Sequence, residues 1–256
     1  MQRLAGRVAV VTGAAQGPKA AIGVVFAKAL AAEGASVVVA ARRDCAPVAA
    51  EIEAAGGKAL ALHVDVGEEQ SVKEMVARTV ERFGRIDILV SNAAVGANVP
   101  PVPLEQMTVE AWDEMMRVNV RGPFLCAKAV APVMRAQKYG KIINIGSVTA
   151  LEGLPNRLHY VTSKGAVATM TRALARELGP DGVRVNTFGL GQIMNATVEE
   201  AFRTRPGYRE SVLGRRAIKE PVYAKDLLGT LLYLASADSD AVTGQFIVID
   251  NGGMFR

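Results

Sequence analysis

The chain has 256 residues, half of them hydrophobic, and a formal net charge of +5 at pH 7. Because the basic residues are scattered along the chain, the composition predicts neither nucleic acid nor a membrane surface as a partner. The two cysteines, Cys45 and Cys126, are too few for a disulfide scaffold, and no apolar run reaches membrane-spanning length. The first residues lead directly into a strand-like run without a signal-peptide pattern, so we expect a cytoplasmic protein. No metal site is predicted.

Short apolar runs rich in β-branched residues alternate with segments of helical periodicity. Strands are predicted at 7–12, 35–41, 58–64, 86–91, 140–146, 182–188 and 245–249. Helices are predicted at about 22–33, 44–55, 68–83, 108–137, 160–178 and 224–235. Buried strands separated by helices predict an α/β fold, a doubly wound Rossmann sheet of seven parallel strands with helices on both faces. We expect a single domain over 1–256.

Two segments depart from the regular alternation. Gly122-Pro123 and Pro132 predict a bend in the long helical segment after Trp112. The region 192–219 is polar and rich in arginine, which favours a lid over a binding site at the carboxyl ends of the strands.

A glycine turn follows the first strand. Arg7–Thr12 is an apolar run, Gly13 and Gly17 come next, and helical spacing begins at Ile22. Such a strand, glycine loop and helix N-terminus bring backbone N–H groups to where a pyrophosphate can bind. A glycine loop alone is also compatible with a tight turn, but its flanking strand and helix favour a nucleotide site.

Tyr160 and Lys164 stand four residues apart in H-Y-V-T-S-K-G and therefore share one helix face. A lysine cation beside a phenol favours the phenolate, so we expect the pKa of Tyr160 to fall from about 10 toward neutral. A tyrosine with such a pKa can exchange a proton with an alcohol or a carbonyl compound. The spacing alone is weak evidence, because it occurs by chance on many helices.

Further motifs follow in a fixed order, and together they are specific. They are T-G-A-A-Q-G at 12–17, D-I-L-V-S-N-A-A at 87–94, V-N-V at 118–120, I-N-I-G-S at 143–147, Y-V-T-S-K at 160–164 and V-N-T-F-G-L-G at 185–191. With this series the whole chain resembles the short-chain dehydrogenase/reductase family.

The resemblance implies a catalytic set of Asn119, Ser147, Tyr160 and Lys164. Tyr160 would be the general acid in carbonyl reduction and the base in alcohol oxidation, and Lys164 would also bind the nicotinamide ribose. Ser147 would donate a hydrogen bond to the substrate oxygen. Asn119 would hold a water molecule of a proton relay. Taken singly, Ser147 is also compatible with a helix cap, Asn119 with a turn and Tyr160 with a core position.

The end of the second strand indicates which cofactor is bound. Ala41 occupies the position where an acidic residue would accept hydrogen bonds from a ribose 2′-hydroxyl, and Arg42 and Arg43 follow. A guanidinium group matches the geometry of a phosphate, so we predict NADP(H) in preference to NAD(H). The alternative is that both arginines only solvate the next helix and that Asp44 reaches a ribose.

The resemblance assigns the remaining cofactor contacts. Asp65 would contact the adenine, and Lys164 and Tyr160 would meet the nicotinamide half. The other predicted positions are Gly13, Gly17, Ile22, Gly23, Arg42, Arg43, Val66, Asn92, Ala93, Gly191 and Ile193. Compared with the usual family motif, Pro18-Lys19-Ala20-Ala21 is an apparent insertion in the glycine loop.

The substrate is expected to be a small molecule. The pocket is predicted to be lined by 148–159, by 94–101 and by the lid, and several of these residues are apolar. A hydrophobic or aromatic ketone or secondary alcohol ranks first, and a 3-oxoacyl thioester of acyl carrier protein second. The lid arginines offer an anion-binding alternative: Arg203, Arg205, Arg209, Arg215 and Arg216. His159 is interpreted as a packing or rim residue.

Two other functional classes remain open at this stage: a nucleotide-sensing regulator without turnover, and an epimerase or dehydratase that retains its nicotinamide. The catalytic set argues against the first, and the lack of a larger C-terminal substrate domain argues against the second. By resemblance, we expect a homotetramer or homodimer.

Overall fold

The computed structural model describes residues 2–17, 22–96 and 100–255. Seven strands form one sheet, and each lies where the sequence predicts it, with ends that agree within two residues. The strands are β1 (Val8–Thr12), β2 (Ser36–Ala41), β3 (Lys58–His63), β4 (Ile88–Ser91), β5 (Gly140–Ser147), β6 (Val183–Leu190) and β7 (Phe246–Ile249).

The sheet is entirely parallel, with the strand order β3-β2-β1-β4-β5-β6-β7. The chain moves outward from β1 to β3, returns to pair β4 with β1, and then moves outward on the other side. This change of direction confirms the doubly wound Rossmann fold. In such sheets the crevice at the carboxyl ends of the strands, where the order reverses, is the usual place for a ligand.

Helices cover both faces of the sheet, and each face has its own apolar core. Val11, Phe26 and Phe188 belong to one core, whereas Val10, Leu89 and Ile142 belong to the other. The α-helices are α1 (Ile22–Ala32), α2 (Ala46–Ala54), α3 (Glu69–Phe83), α4 (Val109–Met116), α5 (Gly122–Gln137), α6 (Thr149–Glu152), α7 (Leu158–Leu178), α8 (Ala196–Thr204), α9 (Tyr208–Leu213) and α10 (Leu228–Ala235).

The long helical segment at 108–137 is interrupted, but not where proline suggested. Arg117–Arg121 forms a π-helical turn between α4 and α5, while Pro132 lies within α5 without ending it. Pro123 stands in the first turn of α5, where its missing N–H is not needed. π-Helical turns are rare and occur frequently at functional sites.

The region 192–219 contains α8 and α9, two short helices that the sequence analysis did not assign. The four-residue helix α6 after β5 was also not predicted. None of the described helices is both long and apolar enough to cross a membrane.

Candidate active site

Four predicted catalytic residues lie on three elements that meet at the carboxyl edge of the sheet. Ser147 is the last residue of β5, Tyr160 and Lys164 lie on α7, and Asn119 lies in the π-helical turn. The Ser147 hydroxyl lies near enough to the Tyr160 hydroxyl to act on its pKa. The Lys164 Nζ is 5.8 Å from the centre of the Tyr160 ring. Helical spacing of four therefore does put the phenol and the ammonium group on one face.

A glycine allows a backbone loop to cover the Tyr160 ring. Gly96 has a φ of +111°, and a Cβ atom there would lie 2.5 Å from Tyr160 Cδ2 and 2.8 Å from Met115 Cε. Arg157 Nη1 donates a hydrogen bond to the Gly96 carbonyl at 3.2 Å, which fixes the loop from the other side. The loop therefore covers one edge of the ring, and the residue as a whole is half-buried.

The pKa of Tyr160 is raised above its ordinary value, contrary to the sequence-based expectation. Burial is the main cause, because it disfavours the charged phenolate. The hydrogen bond with Ser147 and the charge of Arg157 act in the opposite direction, but they do not outweigh burial. The spacing correctly predicted a shared face; it could not show how much water the Gly96 loop excludes.

Lys164 is also buried, and burial lowers its pKa to about 8. Its Nζ donates one hydrogen bond of 2.8 Å, to the carbonyl of Ile145 on β5. An ammonium group has three donors. Lys164 is thus anchored to the sheet and retains donors for a further acceptor.

The Asn119 carboxamide fixes the loop that follows β4. Its Oδ1 accepts from the Val95 N–H and its Nδ2 donates to the Val95 carbonyl, both at 2.9 Å. Nδ2 also donates to Ser163 Oγ at 3.1 Å, and Ser163 Oγ donates to the Tyr160 carbonyl at 2.7 Å. Asn119 therefore connects the loop, the π-helical turn and α7. The water-holding role expected for it stays a prediction.

Ser147 receives hydrogen bonds from the first residue of α6. Thr149 N and Thr149 Oγ1 both donate to Ser147 Oγ, at 3.3 Å and 3.0 Å. Val148, the residue before α6, already has helical dihedral angles. The helix ends at Gly153, whose φ is +68°.

His159 is a packing residue in this structure. Only 2% of its surface is exposed, and burial lowers its pKa. Its Nδ1 has no hydrogen-bond partner within the described ranges. A buried, neutral imidazole fits the packing interpretation and does not lie at the rim of a pocket.

The predicted glycine turn is held against the end of β4. Asn92 Nδ2 donates to the carbonyls of Thr12 and Gly13, at 2.9 Å and 3.2 Å. Thr12 Oγ1 accepts the N–H groups of Asn92 and Ala93, both at 3.1 Å. Gly13 has a φ of +70°, and a Cβ atom there would lie 2.8 Å from Ala93 Cα. Asn92 and Ala93 thus support the turn, whereas their contact with a cofactor stays a prediction.

The two arginines after β2 point in different directions. The Arg43 guanidinium lies directly against Gly17, so that it would have to move if this residue carried a side chain. The Arg42 guanidinium is half-exposed and lies 3.9 Å from an Asp65 carboxylate oxygen and 3.8 Å from a Glu114 oxygen. Both cations therefore flank the end of β2, one over the glycine loop and one beside an acidic pair.

Asp65, predicted to contact adenine, is bound by an arginine that the sequence analysis did not single out. Arg117 Nη1 lies 3.1 Å from Asp65 Oδ2, and Arg117 Nε lies 2.6 Å from Glu114 Oε2. Burial acts to raise the pKa of Asp65, but the Gly67 N–H and Arg117 outweigh it and lower the pKa. The carboxylate is therefore ionised at neutral pH.

The other predicted cofactor residues lie at the same edge or support it. A Cβ atom at Gly23 would lie 2.6 Å from Asn92 Nδ2, and one at Gly191 would lie 2.5 Å from Asp250 Cβ. Ile22 begins α1, Val66 is buried after β3, and Ile193 forms an isolated bridge with Val222. The apparent insertion, Pro18-Lys19-Ala20-Ala21, lies outside the described residues.

The predicted substrate wall is only partly where the sequence placed it. Val148 is buried and Leu151 and Leu154 are half-buried, but Leu158 is exposed and lines a surface groove of about 220 Å³ with Trp112. Residues 97–99 of the predicted segment 94–101 lie outside the part of the chain that the structure describes.

Three of the five arginines in the predicted lid already have partners in the structure. Arg203 pairs with Glu200, and Arg215 Nη2 lies 2.7 Å from Glu152 Oε1. Arg216 is buried and donates to the carbonyls of Gln192 and Glu220, at 2.8 Å and 2.6 Å. An anion-binding role for the arginine set as a whole is therefore not supported.

The sequence analysis missed Thr12, Arg117, Thr149 and Ser163. Thr12 ends a strand and Ser163 lies three residues after Tyr160, so position alone offered a weak signal for both. Nothing in the sequence marked Arg117 or Thr149, because their partners are distant in the chain or depend on the start of α6. In the described ranges, no three His, Cys, Asp or Glu side chains are grouped so that they could hold a metal ion.

Fold and site together define a doubly wound α/β protein with a serine, a tyrosine and a lysine side by side at the carboxyl edge of its sheet. The sequence profile described as Enoyl-(Acyl carrier protein) reductase matches residues 13–254. The chain is 38% identical to the short-chain reductase protein NovJ of Streptomyces niveus, over 96% of this chain and 93% of that protein. It is 34% identical to the 3-oxoacyl-[acyl-carrier-protein] reductase FabG of Thermotoga maritima, over 98% of both.

A solved structure is also closely similar. It is a gluconate 5-dehydrogenase from Burkholderia cenocepacia in complex with NADP and tartrate, with a TM-score of 0.89 and 32% identity over 97% of this chain and 95% of that chain. The protein belongs to the short-chain dehydrogenase/reductase family.

Proposed function

We propose that the protein transfers a hydride between NADP(H) and a ketone or secondary alcohol, with Ser147, Tyr160, Lys164 and Asn119 as the catalytic set. The observation that carries the proposal is the convergence of Ser147, at the end of β5, with Tyr160 and the buried Lys164 ammonium group on one face of α7. Two hydroxyl groups that converge in a shielded site can bind one substrate oxygen. A purely structural role would not need a cation buried next to them.

In carbonyl reduction, the Tyr160 hydroxyl gives its proton to the substrate oxygen as the C–O double bond becomes a single bond. The Ser147 hydroxyl donates a hydrogen bond to the same oxygen and stabilises the negative charge that develops there. In alcohol oxidation, the Tyr160 phenolate accepts the hydroxyl proton instead. Lys164 supplies the positive charge that favours this phenolate, and Asn119 positions α7 through Ser163.

The described residues fit a nicotinamide dinucleotide. Lys164 has one hydrogen bond to the protein and burial lowers its pKa, so ribose hydroxyls would supply acceptors that a buried ammonium group lacks. Gly23, in the first turn of α1, packs against the Gly13 carbonyl, and backbone N–H groups at such a helix start can meet a pyrophosphate. When bound, the nicotinamide supplies or accepts the hydride.

The preference for NADP(H) rests on the two guanidinium groups after β2. Arg43 covers Gly17, and Arg42 has only distant contacts of 3.8–3.9 Å with acidic side chains. A 2′-phosphate at this edge would gain close contacts with Arg42. We expect Arg42→Ala to weaken NADPH binding about tenfold and to leave NADH binding unchanged, with Arg78→Ala on the exposed face of α3 as the control. Equal weakening of both cofactors would contradict the preference.

An apolar wall favours a hydrophobic or aromatic ketone. Val148, Leu151 and Leu154 follow Ser147, and Met115 lies behind Gly96. The second candidate is a 3-oxoacyl thioester of acyl carrier protein, which the similarity to FabG favours. We also propose that α8 and α9 form a lid and that the chain, as one domain, assembles into a homotetramer. Light scattering of the purified protein tests the assembly.

The first experiment is a turnover screen. Absorbance of the reduced nicotinamide is followed with NADPH or NADH against aliphatic ketones, aryl ketones, diketones and a 3-oxoacyl thioester. We expect oxidation of NADPH with at least one ketone, and Tyr160→Phe should lower kcat by about 10²- to 10⁴-fold because it removes the acid–base hydroxyl.

Tyr139→Phe is a matched control for the screen, because Tyr139 lies beside Arg7 at the opposite end of the sheet. Turnover that survives Tyr160→Phe would contradict the proposed chemistry. Tight NADPH binding without any turnover would instead support the nucleotide-sensing alternative.

A further inference from the structure

The Ser147 hydroxyl has a fully specified hydrogen-bond environment. A serine hydroxyl accepts two hydrogen bonds and donates one. Thr149 N and Thr149 Oγ1 both donate to Ser147 Oγ, at 3.3 Å and 3.0 Å, so they occupy its acceptor positions. This leaves the Ser147 proton free to be donated, and among the described residues the Tyr160 hydroxyl is near enough to Ser147 for the serine to act on its pKa.

The direction of the hydrogen bonds that run from Thr149 through Ser147 toward Tyr160 matters when Tyr160 is ionised. A phenolate has no proton to give, so Ser147 must donate to it. A hydroxyl that itself receives hydrogen bonds is polarised and becomes a better donor. The same orientation presents the Ser147 proton to a substrate oxygen when one is bound.

We propose that Thr149 is a positioning residue whose hydroxyl and backbone N–H fix Ser147 as a hydrogen-bond donor toward Tyr160 and the substrate oxygen. The kinetic consequences of this role rest on the proposed function, whereas the hydrogen bonds from Thr149 to Ser147 do not depend on it. Thr149 touches no reacting atom and acts only through Ser147. It is half-buried at the start of α6, beside the site but outside the apolar core.

Thr149→Val tests the role, because valine keeps the β-branched shape and the backbone N–H and removes only the hydroxyl. We expect kcat for alcohol oxidation to fall about 3- to 10-fold with little change in KM, since one hydrogen bond to the donor is lost. Thr149→Ser restores the hydroxyl and should restore kcat. Thr162→Val, on the exposed side of α7, is the matched control.

The pH profile distinguishes positioning from a general structural effect. A weaker donation from Ser147 stabilises the phenolate less, so the acidic limb of the alcohol-oxidation profile should move to higher pH in Thr149→Val. The substitution leaves in place the charged groups that the structure shows beside Tyr160, Lys164 and Arg157, and it also leaves the neighbouring His159 and the Glu152–Arg215 ion pair of α6 unchanged.

A second readout does not need turnover. Tyrosinate absorbance is titrated in wild type and in Thr149→Val, each against its own Tyr160→Phe counterpart, which isolates the signal of Tyr160. We expect Tyr160 to ionise at higher pH in Thr149→Val and at the wild-type pH in Thr149→Ser. Coincident titrations of wild type and Thr149→Val would overturn the inference. Lack of turnover in wild type would overturn the proposed function and would leave this titration to decide the role of Thr149.

Discussion

The two ends of the proposed cofactor site differ in the charge and the exposure of the side chains that form them. Around Tyr160 the groups are few and mostly enclosed, and the buried cation, Lys164, has its pKa lowered by burial. Around Asp65 the groups are numerous, charged and partly exposed, and Arg117 bridges two carboxylates. The first region depends on excluding water, whereas the second tolerates it.

This difference has an energetic consequence. An unsatisfied polar group in a dry region costs its full desolvation free energy, while exposed ion pairs typically contribute less than about 1 kcal/mol. Substitutions near Tyr160 should therefore change stability more, and depend more on pH near neutrality, than substitutions near Asp65.

Lys164→Met should give the largest effect. The pKa of Lys164 is about 8 in the folded protein and about 10.4 in an unfolded chain, so the unfolded state binds the proton more tightly. Wild type should thus gain stability relative to Lys164→Met as the pH rises from 7.5 to 10.5, by about 3 kcal/mol. Urea unfolding at both pH values measures the difference. If the difference in unfolding free energy between wild type and Lys164→Met were the same at both pH values, the ammonium group would be hydrated in the folded state.

Asn119→Ala should destabilise the protein by about 2–3 kcal/mol, because it leaves both backbone groups of Val95 without partners. Asn195→Ala is the comparison, since Asn195 caps the exposed helix α8 and should cost only about 1 kcal/mol. Denaturant midpoints of the three proteins give the order. If Asn195→Ala were the more damaging change, the contrast between buried and exposed regions would be wrong.

Arg117→Met should have the smallest effect, about 1 kcal/mol at pH 7, because the ion pairs are partly exposed. The pKa values of Asp65 and Glu114 are lowered in the folded protein. Their stabilisation is present above the unfolded carboxyl pKa values and is lost on acidification, so the variant should be less sensitive to acid. Thermal unfolding between pH 3 and pH 7 measures this. If the melting temperatures of wild type and Arg117→Met changed with pH in the same way, the ion pairs of Arg117 would not contribute to the stability of the fold.

The sequence predicted the sheet well because strand periodicity and burial are local properties. It also placed Ser147, Tyr160 and Lys164 at one edge, since each follows from the end of a strand or a helical spacing. The pKa shift of Tyr160 was predicted with the wrong sign, because the ring is covered by Gly96, which lies 64 positions earlier in the chain.

The charge-rich end was the harder one to predict. Asp65 was found, but its partner Arg117 depends on the π-helical turn, which no residue preference marks. Proline and glycine pointed to an interruption a few residues later, at Gly122-Pro123. Thr149 was missed for a similar reason, since its role depends on the direction of a single hydroxyl group.

The π-helical turn at 117–121 joins the two ends of the site. Its first residue, Arg117, reaches toward the acidic side chains after β3, and Asn119, two positions on, reaches the loop over Tyr160. In a regular helix with one residue fewer, every side chain after the deletion would rotate by about 100°. Removing a single residue from this turn would therefore keep the helix, but Arg117 and Asn119 could no longer reach their partners at the same time. The length of the turn thus matters more than its composition.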